Sequence, residues 1–200
     1  MKAMTTTTIL CGLFGLAFAT AHAHAAGRVT ARNAHANAYG GVTASERTAW
    51  RGPAGQSGST ARRVVTDGAG DRSVGRGVSR TGPNGTYRAG ERTTVGADGS
   101  LQRDGGFRAT GARGGSASGS RSFTRNADGS YAGQRSTQAD GARGSYDSST
   151  SYANGSGSRA TTATAANGNT YQGETSWTRG EGVTHTASCH DAAGNSIACR

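Results

Sequence analysis

Lysine is almost missing from this chain of 200 residues: Lys2 is the only one. A phosphate-cradling P-loop needs a lysine after its glycines, so that chemistry is excluded. Large aliphatic side chains are nearly as scarce. From Ala26 onward, eight Val, two Phe, Leu101 and Ile197 make up the whole Val, Leu, Ile and Phe content. That lies well below the one-fifth level under which charged chains lack the apolar surface to offset the entropy of ordering. Between Thr124 and Gly182 there is no Val, Ile, Leu, Met or Phe at all. A conventional hydrophobic core and a large enclosed pocket are therefore not expected, and a disordered secreted polypeptide is the competing reading of the composition.

Motifs of catalysis are missing as well. The sequence holds no GxGxxG, HExxH or GxSxG, which removes the simplest signals of dinucleotide, zinc and serine-nucleophile chemistry. Beyond residue 25 only His35, His185 and His190 could act as a base, and nothing places any of them beside a particular serine. The repeated Ala-Asp-Gly does not make a calcium loop, because a loop begun at Thr124 would end on Arg135 where the EF-hand form needs Glu. His185, Cys189, His190, Asp191 and Cys199 do not have ordinary metal-ligand spacing. No enzyme activity, cofactor or metal is expected.

Glycine, by contrast, is abundant: 34 residues, many at even intervals. Between Asn126 and Arg179, short runs of Ser, Thr, Gln and Tyr are cut by Ala-Asp-Gly or Ala-Asn-Gly. Asp-Gly and Asn-Gly tolerate successive positive φ values, which suggests two-residue type I′ hairpin turns. Turn glycines are expected at Gly70, Gly85, Gly99, Gly114, Gly129, Gly141, Gly155, Gly168, Gly182 and Gly194. Strand parity then puts Tyr171, Gly173, Thr175 and Trp177 on one face, and groups Tyr146, Ser148, Thr150 and Tyr152 likewise. Tyr131 and Tyr171 each have a glycine two residues on, over whose bare backbone a ring can lie. The fold class that follows is all-β: an antiparallel meander of hairpin repeats, single-layered or curled, over residues 66–200. Residues 26–65, rich in Ala, Gly and Arg, are expected to form a flexible or weakly β, poorly ordered lead-in.

Residues 1–25 have the pattern of a secretory signal. Lys2 gives the positive start, Ile9 to Ala19 a short apolar run, and Ala23-His24-Ala25 a small-residue cleavage site. After removal no stretch is long and apolar enough to span a bilayer as a helix. Export favours oxidised cysteine, and with Cys11 gone Cys189 and Cys199 remain as an expected disulfide. Closing that loop would contribute about 2–3 kcal/mol by the chain-entropy relation.

Basic charge sits almost wholly on arginine. Sixteen Arg face six acids from Ala26 to Arg125, against five Arg and six acids from Asn126 to Arg200. The expected role is therefore that of an exported, non-enzymatic β-repeat protein, structural, surface-associated or adhesive, able to self-associate through sheet edges. The alternative is binding of a polyanion such as nucleic acid, lipopolysaccharide or an acidic envelope polysaccharide. Arg62, Arg63, Arg72, Arg76, Arg80, Arg88, Arg92 and Arg108 would supply its contacts, and Trp50, Phe107 and Phe123 its stacking surfaces.

Overall fold

A computed structural model describes residues 27–199; the expected signal, with Cys11, His22 and His24, lies outside them. The first six strands are β1 (Gly27–Ala36), β2 (Val42–Arg51), β3 (Ser57–Thr66), β4 (Arg72–Gly82), β5 (Gly85–Val95) and β6 (Leu101–Gly111). The second six are β7 (Ser116–Arg125), β8 (Tyr131–Gly141), β9 (Gly144–Ala153), β10 (Ser156–Ala165), β11 (Thr170–Thr178) and β12 (Gly182–His190). They form one open antiparallel sheet in chain order, the meander that the glycine punctuation predicts. No contact links strands that are not consecutive, so the sheet is a ribbon of hairpins rather than a folded-over layer.

The regular sheet begins at Gly27 rather than at residue 66. Residues 27–65, read from composition as a flexible or weakly β lead-in, carry β1, β2 and most of β3. Their turns hold them in place. The Asn37 amide donates to the Thr66 carbonyl at 2.8 Å, tying the first turn to β3. The Gly68 amide in the next turn on that end donates to the Tyr39 carbonyl at 2.8 Å.

Most connections are not the two-residue type I′ turns expected. Asn126-Ala127-Asp128-Gly129-Ser130 shows the prevailing build. The Gly129 amide donates to the Asn126 carbonyl at 3.0 Å, and the Asn126 amide to the Ser130 carbonyl at 2.8 Å. Gly129 has φ 85° while Asp128 does not have positive φ, so this is a type I turn closed by a glycine bulge. Asp128 acts through its side chain, its Oδ1 accepting the Ser130 amide at 2.8 Å. Among the described residues Asn154 is the one non-glycine with positive φ, at 49°, so Asn154-Gly155 alone has the expected I′ form. At the β8–β9 turn the left-handed residue is Gly144, not Gly141.

There is no buried apolar side chain among the described residues; the buried side chains are Thr43, Thr48 and Ser148. The register instead sorts side chains onto two unlike faces. Thr30, Thr48, Thr60, Val78, Ala89 and Phe107 lie in one cross-strand row, and that face carries every Trp, Phe and strand Tyr among the described residues. The opposite face is built from small polar groups and glycine, as in the row Gly77, Gly90, Gly106, Ser120, Ser136 and Ser149. In β9 the alternation of covered and exposed positions follows this division, with Tyr146, Ser148, Thr150 and Tyr152 on the covered side.

At the C-terminus Cys189 and Cys199 form the expected disulfide, with Cα atoms 5.4 Å apart. The chain reverses through Asp191–Asn195, and the Ile197 amide donates to the Cys189 carbonyl at 3.0 Å. This return pairs part of the outer edge of β12. β1, exposed along its whole length, has no such cover among the described residues.

Candidate functional site

The ring-bearing face owes its geometry to the register. One row crosses all twelve strands: Arg32, Glu46, Arg62, Arg76, Glu91, Gly105, Arg121, Arg135, Thr150, Arg159, Thr175 and His185. Six of those positions are arginine. Neighbouring strands stand about 4.8 Å apart, so the row is a line of guanidinium groups perpendicular to the strands. Glu91 is its main counter-charge, paired with Arg121 and, at 3.5 Å, with Arg103. Arg32 meets Glu46 at 3.4 Å with both groups substantially exposed, a pairing that contributes about 0–1 kcal/mol. Arg62, Arg76, Arg135 and Arg159 have no carboxylate within salt-bridge distance among the described residues.

Arg159 is positioned by hydroxyls instead: its Nε donates to Ser148 Oγ at 3.1 Å and its terminal nitrogen to Tyr146 Oη at 2.8 Å. Ser148, and after it Arg159, hold the Tyr146 phenol below its ordinary value of 10.0. Thr175 Oγ1 and His185 Nδ1 lie 2.9 Å apart further along.

Rings flank this row. Phe123, Gly133, Tyr152, Gly157 and Trp177 are successive partners in the adjacent row, so rings alternate with glycines from strand to strand. Trp50, Phe107, Tyr152, Tyr171 and Trp177 each lie over a bare backbone. A Cβ at Gly157 would come within 2.5 Å of the Trp177 ring, at Gly58 within 2.7 Å of Trp50, and at Gly119 within 2.6 Å of Phe107. Tyr171 covers Gly173 in its own strand as expected, but Gly133 is covered from across the strand by Tyr152 rather than by Tyr131. Tyr87 and Phe107 stack at 6.4 Å between centroids, and Phe123 and Tyr152 at 6.5 Å. Beside the first pair is a shallow open depression of ≈ 440 Å³, lined by Tyr87, Phe107, Arg76, Glu91, Arg121 and Arg135 among others.

The eight arginines singled out from the sequence divide between the faces. Arg62, Arg72, Arg76 and Arg80 are on the ring face; Arg63, Arg88, Arg92 and Arg108 are on the small-polar face. Trp50, Phe107 and Phe123 all lie on the ring face, and Arg121, Arg135 and Arg159 complete a row that composition by halves does not reveal. The signal for them is mirror symmetry about each turn, as between Arg62 and Arg76 or Arg121 and Arg135. Cys189 and Cys199 are joined to each other and offer no thiolate.

Compared with known proteins, the chain matches no family model, and no curated protein or solved structure is significantly similar to it.

Proposed function

We propose that the protein is an exported, non-enzymatic β-repeat protein with a structural, surface or adhesive role. The observation that carries this reading is the single open layer without a buried apolar side chain among the described residues. Among the described residues such a sheet encloses no dry site in which charge could be stabilised for catalysis. Its assets are length, two differing faces and the unpaired edge of β1, a template for another strand. Export accords with the Cys189–Cys199 disulfide. The test is amide hydrogen exchange on the purified chain across concentration. Protected amides in β2 to β11 at all concentrations, with β1 gaining protection on concentration, support a scaffold that assembles by its edge. Exchange throughout at free-peptide rates overturns it.

A second reading, polyanion binding, is favoured by a separate observation, the arginine row on the ring face. Its test is the salt dependence of binding to heparin: affinity falling steeply with salt supports the reading, and salt-independent or absent binding at low salt refutes it.

A further inference from the structure

The arginine row and the ring row run side by side only in part of the sheet. In β3 to β6 the ring row holds Val64, Val74, Thr93 and Arg103, and offers no ring; Phe107 there stands in the row on the arginines' other side. In β7 to β11 the same row holds Phe123, Tyr152 and Trp177 on alternate strands, with Gly133 and Gly157 between them. A ring laid flat on glycine backbone turns its other π face to solvent. The rings do not keep the strand spacing: Phe123 and Tyr152, two strands apart, have centroids 6.5 Å apart.

Resting on the polyanion reading, we propose that this half of the ring face binds a linear acidic polysaccharide lying across the strands. Three properties select the ligand class. First, flat rings with one free face are platforms for the C–H face of a pyranose. Second, Arg135 and Arg159 stand two strands apart, about 9–10 Å, close to the length of an extended β-linked disaccharide, and so suit a carboxylate on every other sugar. Neither has a carboxylate within salt-bridge distance among the described residues, whereas Arg121 beside Arg135 is paired with Glu91; a planar guanidinium fork matches a carboxylate. A nucleic acid, with a phosphate on every nucleotide, asks for a denser line of cations. Third, hydroxyls line the track between the cations. Thr150 and Thr175 occupy the arginine row itself, and Ser148 and Thr161, 3.3 Å apart, occupy the row beside it. Hydroxyls that both donate and accept suit sugar hydroxyls. Charge complementarity disfavours a second copy of the same face as occupant, since it would set arginine rows against each other.

The experiment uses the full chain, with Trp fluorescence and calorimetry reporting on three probes. They are a hyaluronan decasaccharide, which carries one carboxylate per disaccharide, a neutral cello-oligosaccharide, and a thymidine 20-mer of single-stranded DNA. The expected result is salt-sensitive hyaluronan binding that perturbs Trp fluorescence, with much weaker binding of the neutral sugar. Trp177→Leu keeps an apolar cover over Gly157 but removes the π face, and should weaken hyaluronan binding about tenfold, the ratio set by loss of one good aromatic contact. Tyr152→Leu provides the same test one platform away. Arg135→Gln should flatten the salt dependence. If DNA binds more tightly than hyaluronan and both leucine variants bind like wild type, this inference is overturned while the polyanion reading stands. If neither polymer binds at low salt, both fall.

Discussion

The two faces of this sheet share every backbone hydrogen bond and differ in almost everything else. On one, rings lie on glycines and arginines run in file; on the other, Ser, Thr and Gly predominate, arginines such as Arg63, Arg88, Arg92 and Arg108 are scattered, and no Trp, Phe or Tyr is present among the described strands. The comparison shows how a chain without a core can still specify one register. Slipping a strand by one residue would send its rings to the small-polar side and leave its glycines uncovered. Specificity here comes from ring-on-glycine pairing across strands, each pair contributing about 0.2–1 kcal/mol, rather than from burial.

Glycine substitutions break the comparison most sharply. Gly133→Val drives a branched side chain into the Tyr152 ring, and should lower stability by about 1–3 kcal/mol through overpacking, read as a drop in the urea midpoint. Gly75→Ala on the other face meets nothing within 4 Å and should be neutral or raise stability by about 0.5–1 kcal/mol, since it removes chain entropy from the unfolded state. A loss of equal size at both sites would mean the faces are energetically alike.

Arginine substitutions sharpen it in binding rather than stability. Arg135→Ser, on the ring face, should cut the heparin affinity lost between about 50 and 200 mM salt by roughly threefold. Arg108→Ser, whose side chain occupies the opposite face beside Arg88, should leave that slope unchanged in the same titration.

A smaller effect comes from the turns, which belong to neither face. Asp98 and Asp128 each have a carboxyl held below its ordinary 3.8, chiefly by the hydroxyl of the serine two residues on and then by that serine's backbone. A depressed folded value means that the carboxylate contribution is present above pH 3.8 and is lost as pH falls through the lower folded value. Acidification below about pH 3.8 should therefore loosen the Gly96–Ser100 and Asn126–Ser130 turns, seen as shifts of the Ser100 and Ser130 amide resonances, while strand-centre amides of both faces hold. Smallest of all, Ser120→Ala removes an exposed 2.8 Å contact with Ser136 Oγ and should move stability by no more than about 0.5 kcal/mol.

Much of this arrangement was legible in the sequence. Alternation around Tyr146–Tyr152 and Tyr171–Trp177 placed those side chains on one face because a two-residue period leaves no other choice. The turn chemistry was not, because Asp-Gly reads equally as two central residues of a tight hairpin or as the last part of a longer turn closed by a glycine bulge. Which one forms depends on where Asp128 points its carboxylate. The early strands escaped notice since Ala, Arg and Gly have weak strand preference, yet Gly40 and Gly55 repeat the fifteen-residue spacing of Gly70 and Gly85. The arginine row was hidden for a different reason. Arg121 and Arg135 become neighbours only when the turn between them is fixed to the residue, and a shift of one would separate them.

Because every strand leans only on those before and after it, the ribbon is modular in pairs. Excising two consecutive strands with their turns shortens the track by one step and leaves every remaining side chain pointing the same way, while removing a single strand would reverse the direction of all that follow. Lineages of this chain should accordingly vary in length by whole hairpins, changing its reach without redesigning any part of it.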